Sequence, residues 1–159
     1  MKKLICILTL FVMTIATPCN IVSANCKSSV ISVTKEYLED GSYLLITVSE
    51  DTPIASYSTT SSKSGAKSTS YVSSDGVVQW SFTVHGTFQL NPGVSVSCNA
   101  SSYSYNISNS SWHLESASAS YSGNQACASA TFNKKVLFIK TDTVNVNVTL
   151  TCDVNGNLS

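Results

Sequence analysis

Two histidines, nine carboxylates and six cysteines hold most of the reactive chemistry available to this chain of 159 residues. His85 lies inside WSFTVHGTF (80–88), where apolar and polar residues alternate. A histidine there could serve as a general base if a nucleophile or carboxylate stood within hydrogen-bond reach. The alternation assigns it otherwise. Trp80, Phe82, Val84, Gly86 and Phe88 share one face of an extended strand, while Ser81, Thr83, His85, Thr87 and Gln89 share the other. His85 is therefore expected on a solvated face, as scaffold, and His113 beside Trp112 reads the same way. Five of the acids, Glu36, Glu39, Asp40, Glu50 and Asp51, look clustered. Asp40 and Glu50, however, flank a strand of about eight residues, ~26 Å long, too far apart for one calcium or one catalytic pair. DVNGN (153–157) echoes a calcium loop, but its glycine comes too early. The chain has no Gly-x-Ser-x-Gly. The expectation is no catalytic residue, no metal ligand and no cofactor.

The cysteines depend on where the chain goes. Lys2 and Lys3, the apolar run from Leu4 to Ile15 and the small residues Val22-Ser23-Ala24 make a secretory leader, expected to be cleaved after Ala24. The apolar run falls short of the ~20 residues of a membrane span. Neither Pro18-Cys19 nor Asn25-Cys26 fits a lipid-attachment signal. Residues 1–24 are thus read as signal peptide and 25–159 as one secreted, extracellular domain. Four cysteines remain: Cys26, Cys98, Cys127 and Cys152. An even number in a secreted chain suggests two disulfides. Cys98 is in step with Val94 and Val96, and Cys152 with Val144, Val146, Val148 and Leu150, so both should point inward. Cys127 is in step with Gln125, Ser129 and Thr131, so it should point outward. If 94–107, 112–121 and 125–132 form a simple meander, Cys98 and Cys127 lie ~10 Å apart, beyond disulfide reach. The expected bonds are Cys98 with Cys152 and Cys26 with Cys127. No Cys-x-x-Cys pair exists to favour zinc.

The elements that must position these residues have a period of two. Runs at 30–38, 43–50, 77–90, 94–107, 112–121, 125–132 and 144–152 alternate, and turns at Asp40-Gly41, Asp75-Gly76, Asn91-Pro92-Gly93 and Ser122-Gly123-Asn124 divide them. Ile31, Val33 and Tyr37 are read as one face of the first run. No segment carries a helical period. The fold expected is all-β: an antiparallel β-sandwich, immunoglobulin-like in architecture, with about 7–9 strands. STTSSKSGAKSTS (58–70) resists the pattern and reads either as a loop or as a hairpin turning at Lys63 to Lys67. Ala117, Ala119, Ala126, Ala128 and Ala130 face their strands with too little volume to fill a sheet-to-sheet gap of ~10 Å. Trp80, Phe82, Phe88 and Trp112 are the bulk expected against them.

Composition narrows the function classes. The chain has no arginine, and beyond the leader seven lysines stand against nine acids, a net charge of −2. That excludes the clustered basic side chains that nucleic-acid binding requires and leaves no stable membrane anchor. Ser, Thr and Asn make up 53 of the 135 residues after Ala24. Among the aromatics, Tyr103 and Tyr105 share a phase and, with Trp112, are the candidate ligand contacts, since exposed aromatics stack on sugar rings. The function expected is a secreted, non-enzymatic protein of extracellular interaction or surface association, its partner an unidentified extracellular protein or glycan. A carbohydrate-binding module is the first alternative. A membrane-active β protein, built on the alternation of SASAS and VNVNVTLT, is the second.

WSFTVHGTF together with TVNVNVTLTCDVNGNLS at the C-terminus resembles small, uncharacterised, secreted Ser/Thr-rich β proteins of Gram-positive bacteria. The likeness is clearest from Gln79 onward. It implies secretion and no known enzymatic role, and it assigns no functional residue.

Overall fold

The computed structural model describes residues 26–53, 61–137 and 139–159. The expected leader, residues 58–60 of the Ser/Thr-rich run and the side chain of Cys26 lie outside the described residues. Among those described are eight strands: β1 (Cys26–Tyr37), β2 (Tyr43–Pro53), β3 (Ser61–Val72), β4 (Val78–Asn91), β5 (Ser95–Ile107), β6 (Trp112–Ser122), β7 (Gln125–Val136) and β8 (Ile139–Thr151). Strands β1 to β5 form one sheet in chain order and β6 to β8 a second, all pairs antiparallel. The all-β sandwich is as expected. Its strand order is two successive meanders, simpler than the Greek-key connections of an immunoglobulin domain.

The turns follow local chemistry. Gly41, Gly76, Gly93 and Gly123 all adopt positive φ, the conformation a side chain resists. The Asp40 carboxylate accepts from the Ser42 amide and hydroxyl, which closes the first hairpin. After β8, the Asp153 carboxylate accepts from the amides of Asn155 and Asn157 at 2.8 Å each and from the Asn157 side chain at 2.7 Å. DVNGN is thus a turn that swings Leu158 back into the core beside Cys152.

The core lies where the smaller sheet covers the larger. Trp80, Phe82, Val84, Phe88 and Leu90 project from β4 against Ala126, Ala128, Ala130 and Phe132 of β7 and Val146, Val148 and Leu150 of β8. Small residues on β7 admit the large ones of β4, as their alternation requires. Trp80 stacks on Phe132 with centroids 4.3 Å apart, and Trp112 meets Trp80 edge-on at 6.2 Å and 70°. The indole N–H groups of both tryptophans are buried without a hydrogen-bond partner. Edge-on packing partly offsets that cost, because it sets a positive ring edge against a negative ring face. The sheets lie close together at Gly86, where an added Cβ would lie 2.8 Å from Ala126 Cβ.

Three expectations need correction. Residues 61–72 are neither loop nor hairpin but the central strand β3. Its low complexity reflects close packing: a Cβ at Gly65 would collide with Leu158 and lie 2.6 Å from the Ser49 carbonyl oxygen. The face assigned to β1 is also different. An extra residue between Val30 and Ser32 makes a bulge, so Val30, Val33 and Tyr37 share a face with Ser49, Thr47 and Tyr43 of β2, and Ile31 falls out of step. The cysteine argument assumed one meander through β5, β6 and β7, but β5 belongs to the other sheet.

Cys98 and Cys152 do point inward and are buried, and Cys127 does lie on the outer face of β7. All three carry free thiols, so the expected Cys98–Cys152 bond is not formed in this structure, while the expected Cys26–Cys127 bond involves a side chain outside the described residues. The Cys98 thiol donates to the Ala100 carbonyl at 3.3 Å and the Cys152 thiol to that of Asp153 at 3.6 Å, while Cys127 Sγ accepts from Thr149 at 3.7 Å. Burial pushes the Cys98 and Cys152 thiols above the ordinary range, which keeps them poor nucleophiles.

Candidate functional site

His85 projects from the outer face of β4, half-buried, and its Nε2 lies 2.9 Å from Ser104 Oγ on β5. A serine within reach of a histidine is the beginning of a nucleophilic pair. Here it stops at two members: His85 has no carboxylate partner among the described side chains. The face around it is a flat ladder of cross-strand hydroxyl contacts, such as Thr83 to Ser68 at 2.9 Å and Ser64 to Thr87 at 3.3 Å. His85 caps one rung of that ladder. His113 is exposed on the outer face of β6.

The smaller sheet repeats the pattern on its own outer face. Ser118 and Ser129 lie 3.0 Å apart, and Thr131 donates to Asn145 at 2.9 Å. Shallow troughs run between these rows, the larger about 370 Å³ and lined by Ser116, Ser118, Ser129, Thr131, Asn145 and Asn147 with two alanines. No aromatic ring lines either trough. At one end Glu115 is held by Asn133 at 2.5 Å and by Lys140 at 3.3 Å, and these contacts pull its carboxyl below the ordinary range. Asn133 is buried and accepts in turn from Thr143 at 3.1 Å, so this cluster ties the three strands together.

The three aromatics expected to meet a ligand do not share a surface. Trp112, at the start of β6, is only 2% exposed, because its strand phase points it into the core between Tyr71 and Trp80, beneath Lys134. It is corrected from ligand contact to core residue. Tyr103 and Tyr105 keep their common phase and are 39% and 51% exposed. They lie on the inner face of the edge strand β5, with Tyr103 against Phe82 at 5.7 Å. With Tyr121 of β6 they border the seam between the sheets and do not form a row on an open face.

A different surface follows from the mismatch of five strands against three. β8 sits over β3 and β4, so β1 and β2 extend past the smaller sheet. Leu44 and Ile46 of β2 point toward the missing layer and are half-buried. With Glu36, Lys67 and Thr69 they form one wall of a groove of about 510 Å³, and β8 from Val144 to Thr149 forms the other. β8 is the last strand of its sheet, so its backbone groups on the groove side have no strand partner among the described residues. Alternation alone could not locate this groove. The β2 pattern is visible in sequence, but its lack of cover depends on where β8 lands. No protein-family model, curated protein or solved structure matches the chain.

Proposed function

We propose that this is a secreted, non-enzymatic interaction protein that takes an extended segment of an extracellular partner protein into the groove between β2 and β8. The observation that carries the reading is the uncovered apolar floor of Leu44 and Ile46 beside the free edge of β8. A strand added to β8 would run ~4.8 Å beyond it, directly above β2. Main-chain hydrogen bonds to β8 would then supply affinity, and alternate side chains seated on Leu44 and Ile46 would supply selectivity. Glu36 and Lys67 on the same wall offer one charge of each sign to fix the register. The leader motif at Lys2 to Ala24 supports export, and the hydroxyl-covered outer faces suit a soluble domain of low net charge.

Selection from a random peptide library tests this against sugar binding, which rests on Tyr103, Tyr105 and Tyr121 at the seam. The expected result is binders with alternating apolar residues that lose about tenfold in affinity to Ile46→Asn, a change of ~1.4 kcal/mol, while a glycan array stays silent. Clean glycan binding that falls with Tyr105→Ala would replace this reading with the carbohydrate one. Export is tested by intact mass of the protein in culture supernatant, expected to begin at Asn25.

A further inference from the structure

Every side chain of β1 from Lys27 to Tyr37 is exposed, although the strand is twelve residues long. Its neighbour on one side is β2, and on the other side it has no strand among the described residues. Its outer face carries Val30, Val33 and Tyr37, which are 64%, 57% and 72% exposed. Long apolar edges of this kind are templates for pairing with another chain, and folded proteins usually blunt them with charge. Lys35 does not blunt this one. Its ammonium lies back over the Tyr43 ring, 4.8 Å from the centroid, on its own sheet.

The geometry points to a second copy of this chain as the partner, paired antiparallel along β1 about a two-fold axis between Ile31 and Ser32. In that register Lys27 faces Glu36, Ser28 faces Lys35, Ser29 faces Thr34 and Val30 faces Val33, each pair occurring twice. In a regular strand these partners would lie on opposite faces, because each pair is an odd number of residues apart. The bulge at Ile31 removes the conflict. Lys27, Ser29, Thr34 and Glu36 all pair with the inner-facing positions of β2, and Ser28, Val30, Val33 and Lys35 with the outer-facing ones. The bulge thus makes the edge self-complementary, with opposite charges matched on one face and valines matched on the other. Two five-stranded sheets would join into one of ten strands and leave the groove beside β8 open.

Sedimentation of the purified chain from roughly 1 µM to about 1 mM covers the range expected of so small an interface. The expected result is a reversible shift from the mass of one chain to that of two. Lys27→Glu should weaken pairing at least about tenfold by placing like charges opposite each other. Adding Glu36→Lys should restore it to within about threefold, since the swapped pair is equivalent. All these side chains are exposed, so the variants keep the fold, and a melting curve verifies it. One-chain mass throughout the range overturns the proposal. So does a dimer indifferent to Lys27→Glu, or one that the second substitution fails to restore. Peptide binding in the groove, which Glu36 lines, is scored separately on the unsubstituted chain and survives either outcome.

Discussion

Strands β4 and β1 belong to the same sheet and share the same period, yet their polarity is inverted. β4 turns Trp80, Phe82, Val84 and Phe88 toward the second sheet and Ser81, Thr83 and His85 away from it. β1 turns Ser29, Ser32, Thr34 and Glu36 toward the layer that is missing above it and Val30, Val33 and Tyr37 outward. A strand with a polar inner face needs no roof, which explains why the smaller sheet need not reach β1, while the apolar inner face of β2 is left as the groove. The apolar outer face is left for something other than the domain's own core.

Substitutions on the two strands should separate sharply. Trp80→Ala or Phe132→Ala removes half of the 4.3 Å stack and leaves a cavity, at a cost of about 3–5 kcal/mol in denaturant unfolding. Val33→Thr on β1 should stay within about 0.5 kcal/mol, because its side chain is already in water. A similar cost for both would mean that β1 is covered after all. Gly86→Val comes next in size. Its new side chain would press on Ala126 of the facing sheet and on Phe88, for an expected loss of about 1–3 kcal/mol.

The sequence reveals β4 readily and β1 only partly, for a physical reason. Seven of the eight strands announce themselves by alternation, and glycines mark four of the turns, at Gly41, Gly76, Gly93 and Gly123. β4, β7 and β8 also give their buried face correctly, since apolar and polar residues differ strongly there. In β1 the bulge at Ile31 breaks the phase without any residue type to mark it, so Ile31, Val33 and Tyr37 read as a core face when they are not. β3 hides its nature altogether. Serines, two lysines and Gly65 suit a strand pressed against Leu158 and flanked by hydrogen-bonded hydroxyls, but they are also the composition of a loop. Of the three proposed ligand contacts, Tyr103 and Tyr105 were legible as exposed, while Trp112, read both as bulk against the alanines and as a ligand contact, is the first and not the second. Its environment is made by Tyr71, Trp80 and Lys134, all distant in sequence.

Acid should act on the turns before it acts on either strand. Hydrogen bonds from Asn157 hold the Asp153 carboxyl below its ordinary range, those from Ser42 do the same for Asp40, and the Ser73 hydroxyl does so for Asp75. A lowered folded value means that each group stabilises the fold above its ordinary range near 3.8 and loses that contribution as pH falls through the lowered value. Asp40 and Asp75 are exposed and Asp153 is only half-buried, so the effect is small. A melting temperature that is level from pH 7 to about 5 and declines below about 4 is expected, with a flatter decline in Asp153→Asn. A decline already complete at pH 5 would point to other groups.

Hydrogen exchange at low protein concentration, where the chain is a monomer, compares the two strands most directly. Amides of β4 should exchange only through global unfolding, and those of β1 several orders of magnitude faster through local opening of the edge. Equal protection of β1 and β4 in the monomer would contradict the inverted, uncovered edge on which this account of the molecule is built.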